Sequence, residues 1–265
     1  MNCPICLNNT RQVFSAIVIN QYNALYDYCS SCGFLKVRNP FWLSEAYSSA
    51  IASTDTGLVM RNEFFSRKLS SVLFGVFGER GRGQYMDVAG GYGMLTRMMR
   101  DRGFDFYWSD KYCQNLMAFG FEYVDPGAGG CVAVTAIEVM EHLEDPLAFV
   151  REVLQRTRAQ AFIFSTELFD AEPPAPDQWR YYSFETGQHI AFFQRKTLQV
   201  MASKLGMNFA SAGGLHIFST AEISPLRLTL CTGKASAFIA ALARKLLGTK
   251  VMADHALMVQ RLKQK

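Results

Sequence analysis

The chain has 265 residues and a mass of 29.8 kDa, and 49% of them are hydrophobic, enough for one sizeable core and a small appendage. No apolar run approaches the roughly eighteen residues of a membrane span, and the opening MNCPICLNNT lacks a basic-then-apolar leader, so the expectation is a cytoplasmic globular protein. The net charge of +4 is modest and uneven: residues 221–265 hold eight Lys or Arg against Glu222 and Asp254, leaving −2 for the body, which argues against a polyanion binder.

The first element is a cysteine framework. Cys3-x2-Cys6 and Cys29-x2-Cys32 are separated by 22 residues, whereas Cys113, Cys131 and Cys231 are scattered and read as ordinary core residues. Two such knuckles in a leaderless chain predict a four-thiolate zinc ribbon, because each supplies two sulfurs to one tetrahedral ion and closes its coordination shell. A reducing compartment argues against two disulfides. Between the knuckles, VFSAIVIN and ALYDYCSSCGFLKV predict two short strands stapled by a structural metal, since so small a module buries little core of its own.

NPFWLSEAY and SSAIASTDTG form a connector, and helical spacing resumes in RNEFFSRKLSSVLFGVFG before Gly78, Gly81 and Gly83 break the chain. QYMDVAGGYGMLTRMMRDRGFDFYWSD then reads as strand (Gln84–Ala89), glycine turn, helix (about Met94 to Arg102, with Leu95, Met98 and Met99 at core spacing) and strand (Phe104–Ser109). The turn needs glycine where the backbone passes close to a ligand. Asp87 lies inside it, and Asp110 stands 23 residues later at the tip of the second strand, where an acid accepts hydrogen bonds from ribose hydroxyls. An acid at Asp87 would sit badly beside a pyrophosphate; it suits a ligand whose near end is cationic or an amino acid.

The acid-x-Gly-x-Gly-x-Gly turn, the second-strand acid and the later EVxEHLxDP phrase together resemble a class I S-adenosylmethionine-dependent methyltransferase. The resemblance implies that Asp87 matches the motif's acid, that Gly91 and Gly93 match two of its glycines, and that Asp110 is the ribose ligand. Ala89 stands in the first glycine's place, with Gly90 beside it. The segment QNLMAFGFEYVDPGAGG lacks the acidic loop that usually helps hold the adenine, and Phe121–Val124 is expected as a brief third strand.

CVAVTAIEV is the fourth strand, Asp145-Pro146 starts a helix whose stripe is Leu147, Val150, Val153 and Leu154, and AFIFSTEL is the fifth strand. QRKTLQVMASKLG is a helix closed by Gly206, and MNFASAGGLHIFST an antiparallel pair. Alternating strands and helices predict an α/β fold: a doubly wound, Rossmann-like, seven-stranded mostly parallel sheet with ligands at its C-terminal edge. The expected organisation is a zinc ribbon over 1–40, a connector and helices over 41–83, a methyltransferase domain over 84–221 and a basic helical extension over 222–265. Ribbon and domain together resemble zinc-ribbon methyltransferases associated with surface-glycan and sugar modification.

Glu138, Glu141 and His142 crowd the fourth strand's tip, where one helical turn would set all three on a common face, and two close carboxylates repel unless a cation or proton lies between them. His189, in TGQHIAFF, belongs to the region above the same edge. ExxEH followed by a later His resembles the metal site of small-RNA 3′-end methyltransferases and of ubiquinone-biosynthesis O-methyltransferases. Oxygen and imidazole ligands favour Mg²⁺ or Mn²⁺. The alternatives are His189 as a general base without metal, or a phrase that merely ends a strand and caps a helix. His216 reads as a satisfied strand histidine, and Trp179, Tyr181 and Tyr182, after the proline-rich AEPPAP, as a substrate lid or a seal on the sheet.

The expected activity is methyl transfer from S-adenosylmethionine to a hydroxyl or carbon of a small acceptor, foremost a sugar or nucleotide-linked sugar. One alternative is an RNA methyltransferase whose ribbon presents the nucleic acid, although residues 1–40 offer only Arg11, Lys36 and Arg38 against Asp27. The other is a non-catalytic cofactor-binding scaffold. KASAFIAALARKLLGTKVMADHALMVQRLKQK predicts two helical pieces around Gly248, docked on the domain or in weak contact with an anionic membrane surface.

Overall fold

The computed structural model describes residues 2–47, 54–77, 81–125 and 129–264; residues 48–53 of the connector, residues 78–80 with the expected break at Gly78, and residues 126–128 lie outside them. Strands β1 (Arg11–Val18), β2 (Tyr22–Cys29) and β3 (Phe34–Val37) come first, then helices α1 (Leu43–Ala46) and α2 (Leu58–Val76). They are followed by β4 (Gln84–Val88), α3 (Met94–Asp101), β5 (Asp105–Ser109), β6 (Ala133–Ala136), α4 (Pro146–Thr157), β7 (Ala161–Phe164) and β8 (Ala191–Phe192). The chain ends with α5 (Arg195–Leu205), β9 (Asn208–Ala212), β10 (Leu215–Ser219), α6 (Pro225–Thr232), α7 (Ser236–Leu247) and α8 (Val251–Leu262).

The main sheet has six strands in the order β5-β4-β6-β7-β10-β9, with β5, β4, β6 and β7 parallel and β10 antiparallel to both neighbours. Strands β6 and β7 are buried at every position, as parallel strands covered on both faces must be. Their side chains alternate between two cores. Met86, Val134, Phe162, Phe164 and Phe218 meet α4 and α5 on one face; Tyr85, Ala133, Ile163 and Ile217 meet α2, α3, α6 and α7 on the other.

Among the described residues the sheet therefore has six strands rather than seven. The expected third strand shrinks to a single parallel bridge, Trp108 to Glu122, held by Trp108 N–H donating to the Phe121 carbonyl and Tyr123 N–H to the Trp108 carbonyl. Asn115 explains the shortness: its amide donates to the Ala118 carbonyl and to Glu122, tying the segment into a turn that ends at Gly120, whose φ is +84°. Helix α4 starts as expected, with the Asp145 carboxylate accepting from Ala148 N–H at 2.9 Å and Pro146 at the first position. Leu147, Val150 and Val153 are buried, whereas Leu154 is only partly so. From Lys234 on the chain forms two helices around Gly248, as expected, and Ser224-Pro225 opens a further helix ahead of them.

The N-terminal region differs more. It forms three strands rather than two, and its sheet, in the order β1-β2-β3-β8, takes its fourth strand from residues far along the chain. It shares a core as well: Cys3, Ile5, Cys29, Cys32 and Phe34 lie in the same buried cluster as Val134, Phe164 and Met201. The other face packs Tyr26, Trp42, Tyr182, Ile190 and Phe192 into an aromatic cluster with Trp179 and Phe184 at its margin. That apolar face needs a cover, and the proline-rich insert supplies it. Tyr182 is fully buried and Trp179 packs on Phe169, Tyr182 and Phe192, so of the three expected lid aromatics these two seal the sheet and only Tyr181 turns toward the strand tips.

Candidate functional site

The β4–α3 turn lies at the C-terminal edge of the sheet, beside the switch point between β4 and β6. Its backbone is unusual at Ala89 (φ +52°), Gly91 (+54°) and Gly93 (+85°). An alanine in the left-handed region is strained by roughly 1–2 kcal/mol, so the turn is imposed by its surroundings. Gly90 carries a constraint that the motif comparison missed: a Cβ there would sit 2.7 Å from the Asp87 carboxylate. A Cβ on Gly91 would meet nothing within 4 Å, so space is open on the ligand side of the turn.

Two side chains clamp Gly91. Its N–H donates to Asp110 Oδ2 at 2.9 Å, and its carbonyl accepts from Trp108 Nε1 at 2.8 Å. The other Asp110 oxygen accepts from Tyr112 and Cys113 N–H, which fixes the carboxylate at the tip of β5. Asp87 is buried below the turn, with Thr135 Oγ1 donating to it at 2.6 Å; burial pushes its carboxyl up to about 7. These residues fit an S-adenosyl ligand. Asp87 is a buried carboxylate short of a cation, and Asp110 is an acceptor reachable from the open side of the turn.

The second constellation stands at the neighbouring strand tips. After β6 the chain turns at Glu138 in the left-handed region (φ +55°) and enters a single 3-10 turn over residues 140–142. The expected common face therefore splits. Glu141, His142 and His189 bring one ligand atom each to within 4.8 Å of one another, while Glu138 turns aside to Ser165, which donates to its carboxylate and accepts from its N–H. Burial and the neighbouring Glu141 both raise the Glu138 carboxyl above its ordinary range.

Glu141 is fully buried, and neither of its oxygens has a hydrogen-bond partner among the described residues. The Tyr181 and Thr166 hydroxyls lie close without hydrogen-bond geometry; burial raises this carboxyl and the nearby His189 opposes that shift. His189 Nδ1 meets the Tyr181 carbonyl at 2.6 Å. A carbonyl only accepts, so Nδ1 carries the hydrogen and Nε2 keeps its lone pair. His142 Nδ1 lies between the Tyr47 hydroxyl at 2.8 Å and the Gln188 carbonyl at 3.1 Å, and burial pushes its imidazole down to about 3. The two rings meet edge to face, 4.9 Å between centroids. A buried, unpartnered carboxylate beside two imidazoles steadied at Nδ1 is a donor set that fits a divalent cation.

Four neighbours were not legible from the motif. Tyr47, Ser165 and Tyr181 come from separate segments, and Arg61, on α2, is held by Asp55 through bonds of 3.0 and 2.7 Å while its charge faces Glu138 and Glu141. By contrast, His216 has both nitrogens committed, Nε2 donating to the Thr166 carbonyl at 3.0 Å and Nδ1 meeting Ser211 at 2.9 Å, as its strand position predicts.

The cysteine knuckles end in left-handed residues, Leu7 (φ +68°) and Gly33 (+77°), which turn the sulfurs inward. All four lie within 4.8 Å of one another, with Cys3–Cys32 at 3.5 Å and Cys6–Cys29 at 3.4 Å, too far for disulfides. Zinc–sulfur bonds of about 2.3 Å in a tetrahedron require sulfurs about 3.8 Å apart, so the set fits that ion. The cluster is also tied to the second constellation. Strand β3 follows Cys32 directly and pairs with β8; Val37 N–H donates to the Ile190 carbonyl, and Ile190 N–H donates to the Glu141 carbonyl at 2.8 Å. His189 stands two residues before that strand.

The chain matches a family model described as a methyltransferase domain over residues 61–212, more than half of its length. No curated protein matches it. Among solved structures, TnmH aligns at 15% identity over 69% of this chain and 62% of its own, with a TM-score of 0.47. An O-methyltransferase family protein from Burkholderia thailandensis aligns at 13% identity over 69% of both chains, with a TM-score of 0.45. NcsB1, an O-methyltransferase from neocarzinostatin biosynthesis, aligns at 13% over 67% of this chain and 59% of its own, also at 0.45. The chain thus spans a little over half to about two thirds of these structures.

Proposed function

We propose that this chain, which belongs to the methyltransferase-domain family, transfers the methyl group of S-adenosylmethionine to a hydroxyl of a small acceptor lodged beside Glu141, His142 and His189. The observation that carries this reading is Glu141: a carboxylate fully buried at a strand tip, with neither oxygen hydrogen-bonded by any described residue. Such a group is costly, by about 1–3 kcal/mol or more, unless a ligand completes it.

In this reading the open side of the turn at Gly91 receives the methionine part, the ionised Asp87 lies under its ammonium, and Asp110 exchanges its backbone partner for the ribose hydroxyls. When bound, S-adenosylmethionine supplies an electrophilic methyl group on a sulfonium. The protein's own part is to align an acceptor oxygen with it and to remove that oxygen's proton. His189 Nε2 is the atom placed to take the proton, with Nδ1–H anchored on the Tyr181 carbonyl. Glu138, hydrogen-bonded by Ser165, and Arg61 set the local charge. Where Nε2 is instead a ligand, Glu141, His142 and His189 would hold a divalent cation, Mg²⁺ or Mn²⁺, which would supply acidification of the acceptor hydroxyl in place of the imidazole base. Cys3, Cys6, Cys29 and Cys32 would hold a structural Zn²⁺.

A carbohydrate hydroxyl is the proposed acceptor class, on the likeness of the knuckle-plus-domain arrangement to sugar-modifying enzymes. Nucleic acid is disfavoured because the N-terminal cations are largely spent: Arg38 is bidentate to the buried Asp27 and Arg11 pairs with Glu172. The test is calorimetry with S-adenosylhomocysteine followed by product release over a panel of sugar nucleotides, free sugars, phenols and short RNAs, each with and without Mg²⁺ or Mn²⁺. Heat on binding and turnover on a sugar-containing acceptor are expected; no heat removes the whole reading, and turnover only on RNA removes the acceptor.

A further inference from the structure

We infer that helices α6, α7 and α8 form a surface that rests on an anionic membrane. Helices α6 and α7 both pack on α2, and α8 docks on α3 beside it, where Asp254 is buried against Arg97 at 2.8 Å and Arg100 at 2.7 Å. All three thus lie in the outer layer on one side of the main sheet, and their remaining faces point away from it. The inward face of α7 is Ile239, Ala240, Ala243 and Leu247, in or against the core. Its opposite face is apolar too: Phe238, Leu242 and Leu246, at i, i+4 and i+8, are exposed, Phe238 by 74%. A helix apolar on both faces needs a second apolar environment.

The same pattern flanks it. On α6, Leu226 and Leu230 are exposed, 71% and 52%, while Leu228 and Cys231 are buried; on α8, Met252 is 72% exposed and Val259 lies on the same outward side. Around these side chains stand Arg227, Lys234, Arg244, Lys245 and Lys263, while Lys250 pairs with Asp105 at 3.7 Å and Arg261 donates to the Gly120 carbonyl at 2.6 Å; of the two acids in residues 221–265, Glu222 and Asp254, the second is spent inside. Helices α6 and α7 cross at 85° and together have the length and composition of a broken span, but their inward residues belong to the protein core, so they lie along a surface and do not cross one.

Charge selects the occupant. A second copy would meet this face with its own copy in a two-fold contact, setting the cations of one against those of the other. An anionic bilayer satisfies both halves of the pattern: apolar side chains enter the headgroup boundary and Lys and Arg meet the lipid phosphates.

The test is flotation of the full zinc-supplemented chain with vesicles of phosphatidylcholine alone and of equal parts phosphatidylcholine and phosphatidylglycerol. Binding to the second, weakened by salt, and little to the first are expected. Each cation removed should lower partition about fivefold, so the double variant Arg244→Gln, Lys245→Gln should lose about 25-fold. The triple variant Phe238→Ser, Leu242→Ser, Leu246→Ser should lose at least about tenfold. These side chains are exposed, so S-adenosylhomocysteine affinity and melting temperature should hold, separating lost lipid contact from lost folding. Equal binding to both vesicles, or no binding to either, overturns the proposal. So does a dimer in sedimentation that the triple variant dissociates, which would assign the face to a second copy.

Discussion

Among the described residues, the two clusters able to hold a metal differ in one respect that decides their chemistry. The four cysteines turn their sulfurs toward one another, with Asn8 also donating to Cys6 at 3.5 Å, and four thiolates complete the shell of one ion. Glu141, His142 and His189 supply three atoms, fewer than a closed shell needs, and the buried Glu141 carboxylate has no hydrogen-bond partner among the described residues. Closed sets staple; open sets leave room for a substrate. The two are not independent, because the strand leaving Cys32 pairs with the strand that follows His189, and Ile190 bonds onward to Glu141. The staple therefore stands beneath the open site, which explains why an apparently separable N-terminal module shares the main core.

The comparison breaks first at His189. Replacement by Ala should lower turnover about 10³-fold, the usual worth of a positioned proton acceptor, and leave S-adenosylhomocysteine affinity within about twofold. Steady-state kinetics beside calorimetry reads both, and unaltered turnover would return His189 to a packing role. Next, Glu141→Gln and Cys29→Ser should separate the clusters. The first should weaken stimulation by Mg²⁺ or Mn²⁺ up to about 10²-fold with zinc content intact. The second should lose zinc, lower the melting temperature and reduce turnover about tenfold through the displaced β3–β8 pair. Elemental analysis beside kinetics checks them, and equal zinc loss in both variants would erase the distinction.

The parts of this arrangement that were legible in the sequence are those set by short-range rules. Strand, glycine turn and helix around Asp87 follow from periodicity and turn chemistry, and Asp145-Pro146 marks a helix start unaided. The cysteine spacing is likewise a local signal. What stayed hidden depends on contacts between distant segments. β8 is two residues long and exists because β3 offers it an edge. Glu138 leaves its neighbours because Ser165, on the next strand, captures it. Trp179 and Tyr182 go to the seal because the N-terminal sheet presents an apolar face that their local sequence does not announce. Arg61 reaches the site from a helix whose own pattern speaks only of packing.

Asp87 gives a pH test of the cofactor side. Its carboxyl is raised from an ordinary value near 3.8 to about 7 by burial, so a large share is protonated, hence neutral, at and below that pH. Only the ionised form complements an ammonium. Affinity for S-adenosylhomocysteine should therefore fall as pH drops through 7, approaching about tenfold per pH unit below it. In Asp87→Asn the affinity should be low and flat across the same range. Calorimetry at a series of pH values checks this, and a flat profile in the unsubstituted chain would remove Asp87 from cation recognition.

His216 supplies the smallest expected effect and the sharpest contrast with His189. Both imidazoles donate to a backbone carbonyl, but His216 also spends its second nitrogen on Ser211, and burial pushes it down to about 4, so it stays neutral throughout the working range. Nothing remains with which to take a proton. His216→Gln should leave turnover within about twofold. It should lower stability by about 1–3 kcal/mol, because the Thr166 carbonyl and the Ser211 hydroxyl lose a well-aligned partner in the core. For a chain of this size that corresponds to a melting point lower by several degrees. Thermal unfolding beside kinetics separates the two effects. A loss of turnover comparable with that of His189→Ala would mean that the carbonyl of Thr166, whose hydroxyl touches Tyr181, transmits the position of His216 to the open cluster.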